Sequence, residues 1–223
     1  HKYLQDFFWR AALGGRYSHS VESRLAQDIR KIEAIMEGRQ PKYEWPVDTS
    51  PEFVAEYGGF TVGRAYIKAL LCILAYKEPR SFIDNSIVRI SNDWLKQANS
   101  KNYHHFFPRA YLRKRGEEDC YANHIANITI VDEFLNKSEI GAQPPSKYMR
   151  KFLRENEHLG RYMRTHHLIN LDTFGVFEDD YEKFFWRRCQ AFSRELKKRI
   201  IEQEIDSRES AIPASDTTET EVE

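Results

Sequence analysis

The chain has 223 residues, with 34 Lys and Arg balancing 34 Asp and Glu, and 41% of its residues are hydrophobic. That length can bury a substantial core in one or two domains. A formal net charge of zero excludes recognition of nucleic acid by an overall field, so any such recognition must come from local charge.

No apolar run reaches membrane-spanning length and no signal-peptide pattern is present. Cys72, Cys120 and Cys189 are widely spaced and form no C-x-x-C pair. This argues against a zinc cage or a disulfide framework, and for buried or half-buried free thiols in a reducing cytoplasm.

In chain order, Leu4, Phe7, Phe8, Ala11 and Ala12 recur at helical spacing, and Gly14-Gly15 ends that helix. Ser20 is the expected cap of a second helix with Glu22 in its first turn. Leu25, Ile29, Ile32 and Met36 make its apolar stripe. Pro41 and Pro46 mark a loop, and a short helix over 51–57 stops at Gly58-Gly59. Residues 65–76 are apolar nearly all round, which predicts a central buried helix, closed where Pro79 cannot continue the hydrogen-bond ladder.

A strand is expected over 87–90. Segments 102–106 and 128–131 read as the two strands of a hairpin, with a helix starting over 132–137 behind it. A further helix over 146–153 follows the Pro144-Pro145 break. From 179 to about 209 one long helix is expected, lined by Tyr181, Phe185, Cys189, Phe192, Leu196 and Ile200. After Ser210 the composition turns to Ser, Thr, Asp and Glu, which cannot bury enough apolar area to order itself. The expected fold is therefore mainly α with a small α+β element. It divides into a helical connector or scaffold over 1–80, a second domain over 81–209 that carries the hairpin, and a disordered acidic tail over 210–223. No internal repeat and no Gly-rich phosphate loop is visible.

The stretch richest in chemistry is Asn102-Tyr103-His104-His105-Phe106-Phe107-Pro108, followed by Asn127 and Asn136. Imidazoles can take a proton from water or bind a cation, and a side-chain amide adds a neutral oxygen ligand. These are the groups that metal-assisted hydrolysis of a phosphodiester needs. The window 101–115 adds Lys101, Arg109, Arg113, Lys114 and Arg115 with no acid, as a polyanion backbone requires. Its aromatics, Tyr103, Phe106, Phe107 and Tyr111, read as core more readily than as stacking platforms. A second basic stretch (Lys147, Arg150, Lys151, Arg154, Arg161, Arg164) reads equally well as a solvated helix face. His166-His167 is an internal control. This doublet lacks both the following proline and the Asn pair, and reads as structural in preference to a peripheral DNA contact.

From His105 to Asn136 the spacing, 22 residues to Asn127 and 9 more to Asn136, resembles the HNH or ββα-metal nucleases. Asn123-His124-Ile125-Ala126-Asn127-Ile128-Thr129 and Pro144-Pro145-Ser146-Lys147-Tyr148 narrow the likeness to the C-terminal nuclease half of GmrSD-type, modification-dependent phage-defence endonucleases. Phe8-Trp9-Arg10, Arg16-Tyr17-Ser18 and Asp28-Ile29 resemble the helical connector after the ParB-like nucleotidase domain of those proteins. That domain has no counterpart here, and the chain begins at His1 without Met, so a fragment of a longer protein is expected.

The resemblance implies a helical protein carrying an HNH-like finger, acting as a cytoplasmic DNA endonuclease. His105 would be the general base. Asn127 would belong to the catalytic set as the amide that ties the loop and holds His105. His104 and Asn136 would hold a divalent metal, Mg2+ or Mn2+. His104 stands where the family often has Asp or Glu, and imidazole shifts the preference toward transition metals. Asn123 and Pro108 would be scaffold, and the basic residues of 101–115 would bind DNA. Implied partners are modified phage or plasmid DNA and the N-terminal nucleotidase domain, with no membrane. An RNA-cleaving nuclease and an inactive helical DNA-binding or assembly module are the rival expectations.

Overall fold

A computed structural model describes residues 1–61, 63–90, 103–132 and 135–207, the side chains of 136–138 excepted. The expected tail over 210–223 lies outside these residues. Among the described residues the fold is mainly helical, with one two-stranded antiparallel sheet.

The helical scaffold forms where the sequence is most apolar. In α4 (Ala65–Tyr76), Ile67, Leu70, Leu71 and Ile73 are fully buried, as an all-round apolar helix must be. α1 (Lys2–Leu13) packs against it through Trp9 and Leu13. Pro51 opens α3 (Pro51–Tyr57), where its missing N–H costs nothing, and the Ser50 hydroxyl accepts from Phe53 N at 3.1 Å. α3 lies on α9 (Tyr181–Lys197), capped by Asp180 through Lys183 N. One apolar core draws on residues from Trp9 to Leu196, so the expected 1–80 and 81–209 segments both contribute to it.

α2 (Val21–Met36) departs from expectation. Ser20 sits at the cap position with φ of 52° and makes no side-chain cap. The predicted stripe points outward, with Leu25, Ile29 and Met36 exposed, while Asp28 and Lys31 face in. The inward carboxylate has strong partners. Asp28 accepts from Arg16 at 2.9 and 3.1 Å and from the Tyr17 hydroxyl at 3.0 Å, and Lys31 lies 3.3 Å away. These bonds fix the helix rotation against its hydrophobic pattern.

Two other expectations are corrected. Residues 87–90 form no strand: Ile87 makes an isolated bridge to Arg80, and Val88 N donates to the Pro79 carbonyl at 2.9 Å. The last long helix stops at Lys197 rather than near 209. The chain then folds back on α1, where Arg10 donates to Asp206 Oδ1 (2.8 Å) and to the Ile201 carbonyl (2.7 Å), and Ile201 N donates to Asp6 Oδ1 (2.8 Å). A continuing helix would forfeit all three bonds in a buried setting. Of the thiols, Cys189 is buried and Cys72 half-buried, but Cys120 is exposed, contrary to expectation.

The hairpin pairs β1 (Tyr103–His105) with β2 (Ile128–Ile130) in antiparallel register: Tyr103 with Ile130, His104 with Thr129, His105 with Ile128. Between them lie α5 (Arg109–Lys114) and α6 (Asp119–Ala122). After β2, Asp132 Oδ1 accepts from Leu135 N at 2.9 Å and starts a wide π-helical turn, Leu135–Ile140. α7 (Pro145–Glu155) and the short α8 (Leu159–Tyr162) follow.

Three of the buried histidines, His124, His166 and His167, are expected to make the fold acid-sensitive. Burial pulls His124 and His166 down to about 4 and His167 to about 3. Unfolded imidazoles titrate near 6.5, so between 6.5 and about 4 the unfolded chain binds more protons than the folded one. Their neutral form therefore contributes stability that is complete above 6.5 and lost as pH falls through this window, up to roughly 3 kcal/mol for each of His124 and His166. Denaturant titrations at pH 7, 6 and 5 are expected to show stability falling at each step. Stability unchanged between pH 6.5 and 5 would contradict this.

Candidate active site

Asn127 organises the turn at the end of the hairpin. Its carboxamide is fully buried. Oδ1 accepts from Phe107 N at 2.8 Å, and Nδ2 donates to the carbonyls of Phe107 and Ala122, each at 2.9 Å. Its backbone carbonyl accepts from Phe106 N at 2.8 Å. One side chain thus joins the exit of β1 to the approach of β2. Pro108 completes the corner, its carbonyl accepting from Tyr111 N and Leu112 N to start α5. Phe106 and Phe107 fix the corner in the core against Phe184, with ring centroids 5.0 and 4.9 Å away. Asn127→Ala would leave the N–H and carbonyl of Phe107 and the carbonyl of Ala122 without these partners in a buried setting. We expect a loss of about 3 kcal/mol in urea denaturation. A loss below about 1 kcal/mol would show that the corner holds without the amide.

His105 ends β1 and is half-buried. Its Nε2 lies 3.0 Å from Asn123 Oδ1. Burial pulls the imidazole below its ordinary value, partly opposed by the bond to Asn123, so the ring is neutral at neutral pH. A neutral imidazole is the form that can accept a proton. Close by, Arg109 clasps Asp119 in a forked pair at 2.6 and 2.7 Å, which holds the Asp119 carboxyl below the usual range. This cation and anion shift His105 in opposite directions.

Successive side chains of a strand leave it on opposite faces. His104 accordingly points away from His105. It is 3% exposed, and its ring meets the edge of Tyr148 at 6.4 Å. The chain from β2 leads into the turn that carries Asn136, whose side chain lies outside the described residues. Lys101 also lies outside them. The remaining basic candidates divide. Arg109 is paired with Asp119, Arg115 donates to the Tyr111 hydroxyl at 2.9 Å, and Arg113 and Lys114 are exposed. His166 is structural, as its sequence context suggested: Nδ1 lies 2.8 Å from Thr129 Oγ1, and Nε2 donates to the Arg80 carbonyl at 2.8 Å.

The sequence reading passed over Arg188. It is fully buried on α9 and donates to the carbonyls of Ala126 (3.0 Å), Ile128 (2.6 Å) and His166. Burial pulls its guanidinium down to about 9, still charged at neutral pH. Its signal was an Arg four residues from both Phe184 and Phe192, inside an apolar stripe. Phe60 was also missed. Its carbonyl accepts from Asn123 Nδ2 at 3.4 Å, and no local pattern links residues this far apart in the chain.

No family model and no solved structure matches the chain. It is 22% identical to an uncharacterized protein of Methanocaldococcus jannaschii over 89% of its own length. The chain spans 37% of the length of that relative.

Proposed function

We propose that this chain is the nuclease part of a larger protein, an HNH-type, divalent-metal-dependent DNA endonuclease that nicks one strand per site. The observation that carries the reading is one arrangement. A half-buried, hydrogen-bonded His105 ends the first strand of a short hairpin whose corner is tied by Asn127, and Asn136 follows in the next helical turn.

In this reading His105 takes a proton from the attacking water, a role typically worth about 10^2 to 10^4 in rate. His104 and Asn136 would hold the ion, which when bound supplies charge neutralisation and Lewis-acid polarisation at the phosphate. The donor chemistry fits a borderline divalent ion: one imidazole nitrogen and one neutral amide oxygen. Neither donor carries charge, so the substrate phosphate supplies the compensating anion, and binding of metal to the free protein should be weak. Arg113, Lys114 and Arg115, with Lys101, hold the phosphate backbone and read no bases. Arg109 reaches substrate only by leaving Asp119. The proposed setting is bacterial phage defence in the cytoplasm. Nucleotide use and sensing of modified DNA would fall to an N-terminal nucleotidase domain.

Burial of His104 against Tyr148 favours a second reading, an inactive helical binding module, because an ion must enter beside an enclosed ring. Supercoiled plasmid incubated with Mg2+ or Mn2+ separates the two. Nicking that stops with chelator, and is faster with Mn2+, is expected. Equal nicking with and without chelator contradicts the proposal, and binding without cleavage under both ions selects the module. Matched RNA in the same assay decides the nucleic acid.

A further inference from the structure

We propose that Asn123 is a positioning residue that selects the tautomer of His105, placing the proton on Nε2 and leaving Nδ1 as the nitrogen that accepts the proton from water. This deepens the reading of His105 as a base and rests on it.

The assignment follows from a chain of donors and acceptors. The Phe60 carbonyl can only accept, so the end of the Asn123 amide that faces it, 3.4 Å away, is the NH2. The other end is therefore the carbonyl oxygen, and it is this oxygen that lies 3.0 Å from His105 Nε2. An oxygen acceptor at that distance requires a hydrogen on Nε2. A neutral imidazole has one N–H, so Nδ1 keeps its lone pair. Turning the amide over would set two oxygens against each other at Phe60 and lose that bond, while its NH2 would then face Nε2 and demand the opposite tautomer, so the Phe60 carbonyl decides between the two.

The selecting group is itself held from both sides. Asn123 N donates to the Asp119 carbonyl at 2.8 Å, and the Asn123 carbonyl accepts from Phe60 N at 2.9 Å. The next residue pairs across to Gly59 in a bridge, and Ile125 N donates to the Gly58 carbonyl at 2.8 Å. The 58–60 segment is therefore fastened to the 123–125 segment by backbone bonds, and the Phe60 carbonyl has little freedom to turn away. Gly58 permits this approach, since a Cβ there would overlap His124 Nε2 and the Val54 carbonyl. The helical scaffold thus fixes the chemistry of the hairpin through one amide. This differs from the work of Asn127, which bonds only backbone and touches no reacting group.

In the proposed step the Nδ1 lone pair takes a proton from water, and the electron pair of that O–H bond stays on oxygen. The oxygen forms a new bond to phosphorus, and the bond from phosphorus to the 3′ oxygen breaks with its electron pair on that oxygen, which solvent then protonates. Asn123 Oδ1 continues to accept from Nε2–H throughout, so the ring keeps its orientation as it gains charge.

The test is long-range 1H–15N NMR of the full chain at about pH 8, well above the reference imidazole value, with the His105 signals assigned by comparison with His105→Gln. The parent is expected to show a pyridine-like Nδ1 and a pyrrole-like Nε2. Asn123→Ala is expected to give averaged signals of two tautomers. Asn123→Asp loses the donor to the Phe60 carbonyl but offers only acceptor oxygens to Nε2, and is expected to keep the Nε2–H tautomer. In cleavage, Asn123→Ala should lower kcat about 10-fold or more, within the range a general base supplies, with KM unchanged. A pyrrole-like Nδ1 in the parent, or a parental spectrum in a folded Asn123→Ala variant, would overturn the proposal. A parent that shows the selected tautomer yet cuts no nucleic acid would overturn the hydrolase reading while supporting the tautomer assignment.

Discussion

His105→Ala is expected to slow phosphodiester cleavage by about 10^2 to 10^4 while leaving the fold intact. The two expectations separate because of where His105 stands. It lies at the end of a strand and is half-buried, and among the described residues its side chain bonds to Asn123 alone. Its removal should cost about 1 kcal/mol of stability, the usual net worth of one such bond. The corner beside it does not depend on the imidazole, because Asn127, Pro108 and the Phe106–Phe107 pair hold the backbone there. Cleavage rates and urea midpoints measured on the same preparations check this. A variant that cuts at the parental rate would remove His105 from the reaction, and one that loses activity only by unfolding would leave the base role without support.

The largest effect on stability is expected at Arg188. Its guanidinium serves three backbone carbonyls, of Ala126, Ile128 and His166. Two of these bracket Asn127, and Ile128 starts β2, so the same side chain that sits in the core holds the second strand against α9. Among the described residues its hydrogen-bond partners are carbonyls, whose dipoles balance its charge. Replacing a buried ion pair by apolar residues can be neutral, but that requires both partners to go, and carbonyls cannot be removed. Arg188→Met keeps much of the volume and still orphans three acceptors. We expect a loss of about 3–5 kcal/mol, measured by urea denaturation. Arg188→Lys should recover part of this, since an ammonium offers three donors from one point rather than a planar fork. A loss below about 1 kcal/mol in Arg188→Met would mean that water or a backbone shift satisfies the carbonyls.

What the sequence made legible was what depends on local spacing. The run over 65–76 could only be buried, and α4 lies at the centre of the core. Strands over 102–106 and 128–131 were expected from the finger that the resemblance implies, and the sheet pairs 103–105 with 128–130, His105 opposite Ile128. What the sequence concealed depends on partners far along the chain. The stripe of α2 promised a buried apolar face, but the bonds of Asp28 to Arg16 and Tyr17 turned the helix the other way. The last helix read as continuous to 209 because residues 198–207 have no helix-breaking signal of their own. Asp6 and Arg10, almost two hundred residues earlier, bend them back. At the site, Asn123 was visible as scaffold that could help hold His105, but which end of its amide meets the ring depends on the 58–60 segment.

The most direct measurement is manganese anomalous scattering from crystals of the full chain soaked with Mn2+ and a short DNA duplex. One peak in bonding contact with His104 and the Asn136 amide oxygen is predicted, with a scissile phosphate between it and His105. A structure in which Asn136 lies away from both histidines, with no ion near His104 and the phosphate elsewhere, would contradict the account.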